Sequence, residues 1–359
     1  MRLGIIGLPN SGKTTIFNAL TRQNLPTGAA TSGQFEVHTA VVNVPDARVD
    51  RLKAMYNPRK TIYATVTYAD IGGLDKGISE GGLKGQFRNE LAQADGFVHV
   101  VRAFDDPTVP HPYMDVDPQR DVEIIDSEFL LSDLVTVEKR VERLQADLRV
   151  RGKMVDKSVP AELELMERFK AHLEAERPLF ELEITPEQEK SIRGYGFLTI
   201  KPVLVVLNQG DEAKDVNSLL QYNRAGSRMV SLQGKIEAEL AQLPPDDAAL
   251  FMQEYGITEL SAARLISLSY DLLAIQSFFT VGEDEVRAWS VAIGATAPEA
   301  AGAIHTDLQK GFIRAEVMAY DDLITAGSEA ALKSIGKFRL EGKEYIVKDG
   351  DIVHIRHNA

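Results

Sequence analysis

The chain has 359 residues with 44% hydrophobic and 26% charged side chains, enough for two or three domains with a sizeable core and far from the composition of a disordered chain. With no cysteine it offers no disulfide, no cysteine-ligated zinc or iron–sulfur cluster and no thiol nucleophile. A net charge of −13 repels phosphate backbones, and no apolar run approaches the roughly 20 residues of a bilayer span; the expectation is a cytoplasmic protein with no membrane and no DNA partner, touching nucleic acid only through a local basic patch.

Residues 3–6 are a short apolar run closed by glycine and proline, which reads as a buried strand opening into a loop. Ile16, Phe17 and Leu20 then recur at helical spacing, so a helix is predicted to start inside that loop, near Lys13. Further apolar runs at 40–44, 64–69, 96–101 and 202–207 alternate with stretches long enough for helices, the pattern of a mainly parallel α/β sheet.

From Leu130 the texture changes. Leu130, Leu134, Val137, Val141, Leu144 and Leu148 follow 4-3-4-3-4 spacing with charges between them, and a second helical stripe carries Leu165, Phe169 and Leu173. Gly152 and Pro160 separate the two, so an antiparallel helical hairpin is predicted as an insertion over about 128–198. Its tip carries Arg149, Arg151, Lys153 and Lys157 against Asp156, the clearest basic cluster of the chain. Beyond 277, β-like runs at 277–281, 288–293, 338–340, 345–347 and 352–355 with little helix predict a separate small α+β domain over 278–359, leaving 1–277 to the first domain.

The sequence G-L-P-N-S-G-K-T at 7–14 fits G-x-x-x-x-G-K-[ST] and follows a strand and precedes a helix. Its glycines allow backbone N–H groups to turn inward around phosphates, the helix start adds partial positive charge, Lys13 would reach the β- and γ-phosphates, and Thr14 would ligate Mg²⁺. The nucleotide-binding candidates are therefore Asn10, Ser11, Gly12, Lys13, Thr14 and Thr15. Asp70-Ile71-Gly72-Gly73 ends another predicted strand, where Asp70 can hold the metal and the Gly72 amide can sense the γ-phosphate. Asn208-Gln209-Gly210-Asp211 stands where guanine-binding proteins carry N-K-x-D, with Gln209 in place of the lysine whose stem packs over the base.

The phosphate loop, residues 70–77, the strand at 97–102, the helical insert and above all the tail strings FFTVGEDEVRAW (278–289) and AGAIHTDLQKGFIRAEV (301–317) together resemble the YchF/Obg-like ATPase family over nearly the whole chain. The resemblance implies a Ras-like P-loop domain with a coiled-coil insert, and a β-grasp-like TGS domain at the carboxyl end. It also implies Mg²⁺-dependent hydrolysis of ATP in preference to GTP, and association with ribosomes, here through rRNA contacts of the TGS domain and of the hairpin-tip residues Arg149, Arg151 and Lys153. The family carries a hydrophobic residue where Ras-type enzymes have the water-orienting glutamine, and Leu74 agrees; a leucine cannot position water by hydrogen bonding, so slow intrinsic turnover is expected.

The chain departs from the family at three points. Gln34 stands at the threonine expected in switch I as a Mg²⁺ ligand, with Thr31 or Thr39 as substitutes; residues 77–85 are about one residue short; and Asp211 replaces the usual glutamate, leaning back toward guanine. Two alternatives therefore stand beside the ATPase reading: a GTP-preferring GTPase, and a nucleotide-gated scaffold with negligible hydrolysis. The seven histidines show no paired metal-ligand spacing, His305 reads as structural and Trp289 as core.

Overall fold

The computed structural model describes residues 1–27, 36–72, 83, 85–154, 156, 158–211, 214–254 and 260–358, which excludes Gln34, Leu74 and Lys157. Contacts divide the described chain into two compact units, residues 1–40 with 67–265 and residues 41–66 with 266–359, where the sequence reading has one cut at 277.

The first unit is built on strands β1 (Arg2–Ile6), β2 (Val37–Asn43), β4 (Thr65–Ile71), β5 (Gly96–Ala103), β6 (Val203–Gln209) and β7 (Ser227–Leu232), in the order β2-β4-β1-β5-β6-β7. Strand β1 pairs with β4 and β5, β5 with β6, and β6 with β7, all parallel. Strands β5 and β6 are buried on both faces almost throughout, which is why they read as unbroken apolar runs rather than alternating ones. The order reverses at β1, so the crevice at its carboxyl end is the topological switch point where open sheets of this type bind ligands. Helix α1 (Lys13–Thr21) leaves that crevice and buries Ile16, Phe17 and Leu20.

The hairpin's heptad stripe lies on a 34-residue helix (Pro118–Arg151) that begins well upstream of Leu130, because Asp117 accepts from the Gln119 and Arg120 amides and Pro118 opens the first turn. Its first turns press Val122, Ile125 and Phe129 into the core beside the sheet. Further along, Val137, Val141 and Leu144 pack against Leu165, Met166, Phe169 and Leu173 of the returning helix Ser158–Glu174. Fully buried Asp133 joins the long helix to the segment that leads into β6: its carboxylate accepts from the Leu198 and Thr199 amides and the Thr199 hydroxyl at 2.8–3.0 Å.

In the second unit β3 (Lys60–Ile62), β8 (Ile275–Thr280), β9 (Glu285–Ala292), β10 (Phe312–Ala319), β11 (Arg339–Glu341) and β12 (Asp351–His357) form a mixed sheet ordered β11-β10-β12-β8-β9-β3. Residues 41–66 belong here because β3 runs parallel to β9 and because Arg48, on the helix α2 (Ala47–Tyr56), forks onto Asp46 and Asp349. The expectation of little helix is corrected: four short helices, Ala297–Ile304, Thr306–Lys310, Tyr320–Ala326 and Glu329–Ser334, punctuate this unit. The first of them hides inside an alanine-rich apolar stretch and is fixed by a Thr296–Glu299 capping box. Trp289 packs partly buried against the core and His305 caps the Thr306–Lys310 helix through the Asp307 amide.

Candidate nucleotide-binding site

The loop between β1 and α1 has a conformation only its glycines allow. Gly7 and Gly12 sit at φ +148° and +94°; a Cβ on Gly7 would stand 2.2 Å from the Val100 carbonyl oxygen, and one on Gly12 would stand 2.1 Å from Asn208 Nδ2. Gly12 is also the helix N-cap, and no side chain caps the first turn, which leaves its amides available to an anion. Lys13 Nζ donates to the Gly7 and Leu8 carbonyls at 3.0 and 2.9 Å, which keeps the ammonium over the loop.

Next to the cradle, Thr14 in the first turn of α1 meets Asp70 near the end of β4: the Thr14 hydroxyl donates to Asp70 Oδ2 at 2.8 Å. Asp70 is 4% exposed and its Oδ1 has no partner among the described residues. Burial raises its pKa above the ordinary aspartate value, opposed by the Thr14 hydrogen bond and the Lys13 charge. A buried, unpaired carboxylate oxygen beside a hydroxyl and a phosphate loop has the oxygen chemistry of a Mg²⁺ site, so these residues fit the ion. The Gly72 amide is bonded to the Glu36 carbonyl at 3.4 Å. Gln34 and Leu74 lie outside the described residues.

Asn208 and Gln209 are both engaged by the protein's own backbone. Asn208 is buried and brackets two loops, donating from Nδ2 to the Ser11 carbonyl and accepting on Oδ1 from the Gly234 amide, both at 3.0 Å. Gln209 is 3% exposed and folds inward, donating to the Lys214 carbonyl and accepting from the Lys214 amide. A side chain so tied offers no stem to lie over a purine. Asp211 is exposed.

Two groups beside the cradle carry no motif. Arg102, 2% exposed at the end of β5, donates to the carbonyls of Phe104, Asp106 and Val109 and so shapes the loop whose Pro110 carbonyl accepts from Asn10 Nδ2. In the same loop the buried His111 places Nε2 2.8 Å from Asp121 Oδ2 and accepts the Tyr113 amide on Nδ1, which assigns its proton to Nε2. Ten residues separate His111 from Asp121 in the sequence, and no local spacing joins them.

A strand, a glycine-shaped amide cradle, a helix opening with Lys-Thr and an acid at the end of the next parallel strand define a P-loop nucleoside triphosphatase. Residues 2–129 match the family model described as "50S ribosome-binding GTPase", and residues 275–358 match the YchF-type carboxyl-terminal model described as "Protein of unknown function (DUF933)". The chain is 41% identical to "Ribosome-binding ATPase YchF" of Bacillus subtilis (strain 168), covering 99% of each. It is 36% identical to "Obg-like ATPase 1" of Caenorhabditis elegans, covering 100% of this chain and 92% of that protein. The solved Schizosaccharomyces pombe YchF GTPase aligns with a TM-score of 0.83 at 33% identity, over 99% of this chain and 97% of that one. The chain belongs to the YchF family.

Proposed function

We propose that this protein is a Mg²⁺-dependent nucleoside triphosphatase that prefers ATP to GTP, cleaves the β–γ phosphate bond slowly by itself and associates with the ribosome. The observation that carries the reading is the Thr14–Asp70 contact beside the amide cradle. Thr14 and Asp70 would hold Mg²⁺, which when bound neutralises charge developing on the phosphate oxygens. Asn10, Ser11, Gly12, Lys13, Thr14 and Thr15 grip the polyphosphate, and Lys13 exchanges the Gly7 and Leu8 carbonyls for phosphate oxygens. The Gly72 amide exchanges Glu36 for the γ-phosphate, which couples the nucleotide to the start of β2. Leu74 in place of a water-orienting amide accounts for slow turnover, and Gln34 would offer at most a carbonyl oxygen to the metal.

The preference for ATP rests on the inward-folded Gln209 and on the relatives named as ATPases. A GTP-preferring reading rests on one residue, the exposed Asp211. Displacement titrations with ATP and GTP in parallel decide between them: tighter ATP is expected, and a preference of about tenfold or more for GTP overturns the assignment. Association with the ribosome is supported by the names of the relatives and by the basic tip, where Arg149 is exposed and Arg151 and Lys153 close the hairpin turn.

A further inference from the structure

Besides Asn208, a side chain that no motif contains ties together the two loops that end β6 and β7. Gln233, between β7 and the helix Gly234–Gln242, donates from Nε2 to the Gly210 carbonyl at 3.1 Å and to the Asp211 carbonyl at 2.6 Å. Both protons of that amide nitrogen are thereby engaged, which settles the orientation of the amide, because two carbonyl acceptors can be met only by the NH₂ group. The same stretch is held from below by Asn208, through the Gly234 amide, and from within by Gln209, through Lys214. Two side-chain amides, Asn208 and Gln233, thus tie residues 208–211 to residues 233–234, while a third, Gln209, is bonded to Lys214.

We infer that Gln233 is a positioning residue for base recognition: it holds the 210–211 backbone in the place beside which the base is read. The inference rests on the proposed nucleotide site and adds to it the residue that orders the base side. The chain lacks the lysine that would cover a base at position 209, so order in this loop has to come from elsewhere, and hydrogen bonds to two adjacent carbonyls supply it. Among the described residues the Gln233 side chain donates to the Gly210 and Asp211 carbonyls, and neither belongs to the phosphate cradle. Its loss therefore weakens ligands that carry a base and spares those that do not.

The experiment uses the full chain with Mg²⁺ and compares ATP, GTP and inorganic tripolyphosphate as competitors of a fluorescent nucleotide, for the native protein, Gln233→Glu and Gln233→Lys. Glutamate removes both donors and sets a carboxylate against two carbonyls; lysine restores N–H donors. The expected result is a loss of about tenfold in affinity for ATP and GTP in Gln233→Glu, with tripolyphosphate unchanged within about twofold and the nucleotide loss largely recovered in Gln233→Lys. Unchanged nucleotide affinity in Gln233→Glu, or an equal loss for tripolyphosphate, overturns the inference while leaving the proposed function standing. A native protein that binds neither triphosphate overturns the proposed function, and the inference with it. Far-ultraviolet dichroism and melting of the two variants, expected to match the native protein within a few degrees, identify a merely unfolded variant.

Discussion

The Thr14 hydroxyl donates to Asp70 Oδ2 at 2.8 Å while Asp70 Oδ1 stays buried without a partner among the described residues. Burial raises the Asp70 pKa, and an acid with a raised folded-state pKa binds more protons folded than unfolded. Its ionised form therefore destabilises the fold, and stability falls as pH rises from the ordinary aspartate range through the folded-state pKa. Asp70→Asn removes the charge and keeps an acceptor for Thr14. The nucleotide-free variant should melt higher, by about 2–4 °C per kcal/mol recovered, while Mg²⁺-supported hydrolysis falls by roughly two orders of magnitude. Calorimetry and phosphate release check both; a variant that hydrolyses normally removes Asp70 from the metal site.

Gly12 and Asn208 occupy one space, because a Cβ on Gly12 would meet Asn208 Nδ2 at 2.1 Å. Gly12→Ala combines that clash with a φ of +94° and should cost about 3 kcal/mol or more. Asn208→Ala opens the space but orphans the buried Gly234 amide and the Ser11 carbonyl, costing about 2 kcal/mol. The double variant should be more stable than the sum of the single losses by about 1 kcal/mol, since the clash disappears with the asparagine. Urea midpoints of the four proteins measure this coupling, and strict additivity would show that the loop escapes the clash by moving.

His99, 1% exposed on β5, has its pKa pushed down to about 3 by burial, with the positive charges of Lys13 and Arg224 acting in the same direction. Between that value and the unfolded value of about 6.5 the unfolded chain binds a proton that the folded chain refuses, so stability is lost as pH falls through this window, at up to about 1.4 kcal/mol per pH unit. His99→Gln stays neutral throughout. Its stability should fall between pH 7 and pH 4.5 by roughly 2 kcal/mol less than that of the native protein, as read from urea midpoints at both values. Parallel losses would place the acid sensitivity in other groups.

Local chemistry was legible in the sequence and long-range chemistry was not. The cradle at 7–14 could be read because its geometry depends on a few adjacent residues, chiefly the glycines at 7 and 12. The hairpin could be read because Val137, Val141, Leu144 and their partners repeat with the helical period. Strand β7, with three half-buried positions and a polar Ser-Arg start, lacks the apolar run that marks β5 and β6. Strand β3 is three residues long and exists only through its pairing with β9, more than 200 residues away. The bracket from Asn208 to Ser11 and Gly234, and the Gln233 clamp, join segments that sequence spacing cannot bring together.

The basic tip stands at the far end of a helix of 34 residues, about 50 Å at 1.5 Å per residue. The helix is not a loose arm: Asp133 is bonded to Leu198 and Thr199 at the root, and Arg140 forks onto Glu162 of the returning helix at 2.8 Å. A stiff rod ending in exposed Arg149, followed by Arg151 and Lys153, concentrates positive charge on a chain of net charge −13, which suits a contact with RNA phosphates more than with a protein surface of the same sign as the tip. Arg149→Glu/Arg151→Glu/Lys153→Glu should therefore reduce co-sedimentation with ribosomes by about tenfold or more at low salt and flatten its salt dependence, because fewer counterions are released on binding. Nucleotide affinity should stay within about twofold of native, since the changes lie outside the phosphate loop and the Thr14–Asp70 pair. Lys170→Glu, in the middle of the hairpin beside Glu138 and Glu174, serves as the control and should leave pelleting unchanged. Native pelleting by the triple variant would remove the tip from the ribosome contact.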